Sequence, residues 1–202
     1  MTFGRFGGML VIGSCALLPL VVAIGGSGPV GVGGHPNRDV GNVVMNTSLA
    51  LLGAGAAVLS LVGARPLHGR GVRIGLGMLA VGLLSLMVSS MIPIPAGSNS
   101  LQSWPYIITG TVFLLATAVG TLVTVASLVR MPGPTRVVGS LLLAGLLLYP
   151  FASILSVSWT DQPFDLIAGA LKLISFVGLV VGLSGIGVLA IRGERSGSTE
   201  AG

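Results

Sequence analysis

The chain has 202 residues, 52% of them hydrophobic and only 7% charged, and its mean hydropathy is +1.00. About a quarter of the residues of a soluble domain are charged, so this composition excludes an ordinary soluble domain. Apolar runs near the ~20 residues that cross a hydrocarbon core fill most of the chain and leave no stretch long enough for a separate catalytic head.

The remaining counts agree with a membrane protein. The 33 glycines follow no G-X-Y period, which excludes collagen, and their mixture with Leu, Val and Ala suits helices that approach closely in lipid. The single cysteine, Cys15, excludes an internal disulfide framework and any multi-cysteine metal site. The net charge of +5 comes from arginines clustered between apolar runs, so it reads as topology rather than as a nucleic-acid surface.

Cutting the chain at its charges and Pro/Gly clusters gives six spans. The first, Gly8 to Gly26, follows Arg5 and contains Ile12-Gly13-Ser14-Cys15, which is similar to the box before a lipid-modified cysteine. Its hydrophobicity continues through Ile24, so an uncleaved first helix is expected. The second, Val43 to Gly63, follows a polar loop, His35-Pro36-Asn37-Arg38-Asp39, whose polarity runs on through Asn42 and Asn46-Thr47-Ser48. The third, Ile74 to Ile94, follows Arg65, Arg70 and Arg73. The fourth, Pro105 to Val129, opens on a proline whose missing N–H costs nothing in a first turn, with Trp104 and Tyr106 at interfacial depth. The fifth, Val137 to Trp159, follows Arg130 and Arg136. The sixth, Leu166 to Ile191, holds Lys172 and precedes Arg192 and Arg195. Pro19 and Pro150 fall inside spans, where each removes a backbone bond and is expected to kink its helix.

None of the spans has the alternating polar period of a barrel strand, and only helices and closed barrels satisfy their backbone in lipid. The fold class is therefore all-α, a polytopic membrane bundle of six transmembrane helices. Residues 1–192 form its single domain, and residues 193–202 a disordered cytoplasmic tail. Arg5, Arg65, Arg70, Arg73, Arg130, Arg136, Arg192 and Arg195 fall on one side, and Arg38 alone on the other. By the positive-inside rule both termini are cytoplasmic, and the chain is expected in the cell (plasma) membrane as a multi-pass protein.

Candidate binding residues lie at the outer side. A lysine within a span costs about 2.5–3.5 kcal/mol on insertion scales, so Lys172 either reaches water or finds a partner. Asp161, Asp165 and Asp39 are the carboxylates available to it, and an anion in an outward cavity is the alternative ligand. His35, Arg38, Asp39 and Asn46 complete this set, since the first outer loop concentrates donors and acceptors. Snorkelling of Lys172 and plain solvation of the loop are the readings without function. His35 and His68 fall on opposite sides and so cannot share a metal or a haem, and there is no G-x-S-x-G, no H-E-x-x-H and no acidic pair inside a span. No catalytic residue, cofactor or metal ligand is assigned. The hydroxyls within the spans are expected to bond to their own helix or a neighbour. Gly71-x-x-x-Gly75, Ala116-x-x-x-Gly120 and Gly178-x-x-x-Gly182 are expected to serve packing inside the bundle.

The order of features resembles the six-helix bacterial membrane family classed as domain of unknown function nine hundred and ninety-eight. A polar first outer loop, His35 to Asp39, leads into an Asn-bearing second helix with Asn42 and Asn46, and a basic inner loop follows. The third helix then ends in a hydrophobic-proline turn, Met91-Ile92-Pro93-Ile94-Pro95. Where the family often has an acidic residue and then a histidine, this chain has Ala96 and Trp104-Pro105-Tyr106. The resemblance implies fold and location and supplies no activity. The function expected is that of a non-enzymatic accessory or assembly subunit, with lipid and a second membrane protein or second copy as partners and no nucleic acid. A small-solute transporter or channel with an outward polar cavity, and an intramembrane lipid-modifying enzyme, are the alternatives.

Overall fold

The computed structural model describes residues 2–23, 38–63, 67–91, 104–158 and 162–199. Among these residues the chain forms six α-helices: α1 (Phe3–Ala23), α2 (Arg38–Val62), α3 (Arg70–Met91), α4 (Trp104–Arg130), α5 (Pro134–Ser158) and α6 (Gln162–Thr199). Four carry stretches long and apolar enough to cross a membrane, namely Phe3–Leu20, Val43–Val62, Ile108–Arg130 and Ile167–Gly193, and α5 carries a shorter apolar stretch, Pro134–Leu148.

The helices outrun the hydropathy cuts. α1 and α2 begin before Gly8 and Val43, and α6 continues to Thr199 through residues that the sequence assigns to a disordered tail. Hydropathy marks the part of a helix that suits lipid, whereas backbone bonding propagates until a cap or a breaker intervenes, and Gly193 and Gly197 only weaken it. α1 likewise runs through Pro19 without ending.

Two glycines set the turns at one end. Gly63, at φ 64°, follows the last residue of α2, and its N–H donates to the Leu59 carbonyl at 3.0 Å, closing the helix in a left-handed cap. Gly133, at φ 75°, sits in the short connection between α4 and α5 and accepts from the Arg136 N–H at 3.1 Å. Pro134 then opens α5 where no N–H is needed.

Neighbouring helices run antiparallel. Gly7 of α1 meets Val58 and Leu59 of α2, Gly71 of α3 meets Ser127 of α4, Gly185 of α6 meets Val138 of α5, and Gly8 of α1 meets Gly187 of α6. One end therefore collects the starts of α1, α3 and α5 and the finishes of α2, α4 and α6. Arg5, Arg70, Arg73, Arg130, Arg136 and Arg192 all lie there, which defines it as the arginine end. The helices close a ring in chain order, each packed on its sequence neighbours and α6 returning to α1, with the seam between α4 and α5 the thinnest.

Several seams are closed by backbone approach. A Cβ placed on Gly8 would stand 2.6 Å from the Gly187 carbonyl oxygen, and one on Gly120 would stand 2.6 Å from the Leu79 nitrogen. α3 sets Gly71, Gly75 and Gly82 against Ser127, Thr124 and Thr117 of α4, a glycine stripe facing a hydroxyl stripe. Gly182 packs on Leu142 of α5, and Gly178 lies 3.4 Å from the Leu141 carbonyl by the same construction, so both of these small-residue pairs serve contacts inside the bundle. Lipid offers no hydrophobic drive for helices to associate, so such close fit and its dispersion gain hold the ring together.

Among the described residues, fully buried aliphatic side chains gather towards the arginine end. Leu59, Leu67, Val72, Leu128, Leu142 and Ile186 are all less than 2% exposed and belong to one cluster that also includes Val11 and Cys15 of α1. The lateral surface is apolar, with Phe6, Leu61, Leu114, Leu122, Leu147 and Leu173 among its exposed side chains.

Candidate functional site

Hydroxyls inside the bundle divide into two uses. Thr47, Thr109, Thr121 and Thr124 each donate to a carbonyl four residues earlier in their own helix. Ser14 of α1 and Ser48 of α2 instead join different helices, their hydroxyls 3.1 Å apart, and the Ser48 hydroxyl also donates to the Ser14 carbonyl at 3.0 Å. On another flank of α1, Cys15 is buried beside Ser184 of α6. Ser175 of α6 donates to the Gly145 carbonyl of α5 at 2.6 Å. Ser14, Ser48 and Ser175 are fully buried, so this middle layer is cross-linked by short polar contacts that a buried hydroxyl requires. The Thr117 hydroxyl, turned towards Gly82, is the buried side-chain polar atom without a partner among the described residues.

At the arginine end one guanidinium is built into the backbone. Arg73 of α3 donates from Nε to the Ser60 carbonyl at 2.8 Å and from Nη2 to the Leu61 carbonyl at 3.0 Å, while the Ser60 hydroxyl donates to the Arg73 carbonyl at 2.8 Å. Carbonyls in the last turn of a helix have no partner within the helix, and a cation there also meets the negative end of the helix dipole. Arg73 therefore caps α2 and ties it to α3. Beside it lies a shallow depression of about 540 Å³ lined by Ser60, Leu61, His68, Arg70, Arg73 and Ile74.

Comparison of the chain with protein-family models, curated proteins and solved structures gives no match. Its functional reading therefore rests on its own residues.

Of the residues singled out from the sequence, Lys172 and Asn46 have described side chains. Lys172 is partly buried on α6, one turn from Ala168 on one side and from Ser175 on the other, both buried; Ser175 bonds to α5. Helical spacing thus puts Lys172 at the border of the packed face of α6, with exposed Gly169 one turn away on its other flank, and its side chain is engaged in an interaction. Asn46 is partly buried on α2, seven residues before Gly53, whose near neighbours are Leu83 and Leu84 of α3. Arg38 and Asp39 open α2, and Asp165 lies in the first turn of α6, so their backbones share the end opposite the arginines. Their side chains, and His35 and Asp161 altogether, lie outside the described residues, as does the proline turn after Met91. Among the described residues no group of three His, Cys, Asp or Glu side chains is placed to hold a metal.

Sequence reasoning missed the Ser14–Ser48 link, the burial of Cys15 beside Ser184 and the capping role of Arg73. The first two carry no sequence signal, because serine is scattered through every span. The third had one: Gly63 marks a helix end, and a basic residue shortly after it is within reach of the open carbonyls.

Proposed function

We propose that the chain is a multi-pass protein of the cell membrane, with six spans and both termini cytoplasmic, acting as a non-enzymatic accessory or assembly subunit. Four helices of sufficient length and apolarity, together with the gathering of six described arginines at one end, support the location and the orientation. The role rests on the packing at that end, where Leu59, Leu67, Val72, Leu128, Leu142 and Ile186 fill the space between the helices. A conduit needs a polar or water-filled path through both halves of the bundle, and this fill favours a static scaffold. Membership in the six-helix family is part of the same proposal. The transporter reading draws on Lys172, since an ionisable group at the border of a packed face within a span is by default a candidate for solute binding.

Two measurements test the proposal. A cytoplasmic fluorescent reporter is expected to light after Arg136 and stay dark after Asn99; the reverse pattern overturns the orientation. The full chain in proteoliposomes is expected to leave glycerol and potassium permeability at the protein-free level. A flux that appears with the chain and vanishes in Lys172→Leu replaces the scaffold reading with transport.

A further inference from the structure

We propose that the depression between α2 and α3 at the arginine end is a phosphate-binding site that seats the head group of an anionic phospholipid. The inference deepens the membrane reading above and rests on it, because it needs this end to lie at the level of lipid head groups.

One half of the surface is a set of donors. A guanidinium has five N–H groups, and Arg73 commits one from Nε and one from Nη2 to α2, which fixes the plane of the group. Its remaining N–H groups have no partner among the described residues and stand at the wall of the depression. Arg70, one turn earlier on α3, and His68, in the connection before it, are exposed and make no hydrogen bond or ion pair among the described residues. α3 begins at Arg70, so the positive end of its dipole points to the same place. Two of the α2 carbonyls that would repel an anion, those of Ser60 and Leu61, are covered by Arg73. Among the described lining residues none is acidic.

The other half of the surface is apolar. Leu61 and Ile74 stand in the same wall and are 76% and 50% exposed. From Ile74 an exposed stripe continues up α3 through Val81 and Val88 at intervals of seven residues, with Leu84 beside it. Seven residues is close to two helical turns, so these side chains share one lateral face. A free anion has no use for such a stripe. A phospholipid places its phosphate among the donors and lays an acyl chain along Ile74, Val81 and Val88, matching both halves of the surface. Basic pockets between helices at a membrane interface bind anionic head groups in this way.

Native mass spectrometry of the full chain in detergent, titrated with phosphatidylglycerol, phosphatidylcholine or inorganic phosphate, tests the proposal whatever the orientation of the chain in a cell. Phosphatidylglycerol is expected to bind saturably and more tightly than phosphatidylcholine. Arg70→Gln is expected to weaken it about tenfold, the loss of one charge-assisted phosphate contact. His68→Gln should weaken it to a lesser degree, and Arg136→Gln, a cation of the same end outside the depression, by less than about twofold. Equal losses in Arg70→Gln and Arg136→Gln would reduce the effect to diffuse charge and overturn the site. Displacement of phosphatidylglycerol by an equal concentration of inorganic phosphate would overturn the lipid assignment.

Discussion

Two layers of this bundle are held together by different chemistry. Towards the arginine end the space between helices is filled by Leu59, Leu67, Val72, Leu128, Leu142 and Ile186. In the middle layer buried hydroxyls, Ser14 with Ser48 and Ser175 with the Gly145 carbonyl, add directed bonds beside buried aliphatic groups such as Leu52 and Leu83. A branched side chain contributes dispersion over many atoms but demands volume, whereas a serine needs little space and gives one directed bond. Small residues let helices approach until backbones nearly touch in both layers, Gly82 against Thr117 in the middle and Gly8 against Gly187 towards the arginine end. Stability here is therefore expected to track how tightly each layer is filled more than how polar it is.

The hardest challenge to that view is a seam glycine. A Cβ on Gly75 would meet the Thr124 nitrogen at 2.7 Å and the Gly120 carbonyl at 2.8 Å, both backbone atoms that cannot turn aside. Gly75→Leu is expected to cost about 4 kcal/mol or abolish folding, read as lost resistance to sodium dodecyl sulfate unfolding. Next in size, Leu128→Ala leaves a cavity in the filled layer and is expected to cost about 3 kcal/mol in the same titration. The smallest effect belongs to the middle layer: a double-mutant cycle on Ser14→Ala and Ser48→Ala should return a coupling of about 0.6 kcal/mol, the size of an average hydrogen bond between membrane helices. A coupling above the Leu128→Ala cost would reverse the ranking of the two layers.

The helices were legible because long apolar runs between arginines admit one reading in lipid, and the start of α4 at Trp104–Pro105 follows from proline chemistry alone. Their ends were less so. Residues 193–199 look like a solvated tail by hydropathy, yet a helix already formed has no cap at Ile191 to stop it. The seams were illegible for a different reason. Glycine occurs in every span, and nothing in Gly71, Gly75 and Gly82 announces that Thr117, Thr124 and Ser127 stand opposite. Arg73 was hidden by its own usefulness to topology: it counts as one more positive-inside residue until its bonds to Ser60 and Leu61 are seen. For the candidate site at the opposite end, the sequence identified Lys172 by its cost in lipid, and helical phase places it at the border of the packed face beside Ser175.

The closure between α1 and α6 also sets a clock. Every other seam of the ring joins helices adjacent in the chain, but Gly8 must wait for Gly187. At a synthesis rate of ~5–20 residues per second, that wait lasts on the order of ten to forty seconds. Throughout it the face of α1 that bears Gly8 and Cys15 has its later neighbour missing and only lipid against it. A completed copy beside it in the membrane can offer its own α6 to that face, so the time for which the face stays open, and not only the energy of the seam, bears on whether the ring closes on itself or on a neighbour.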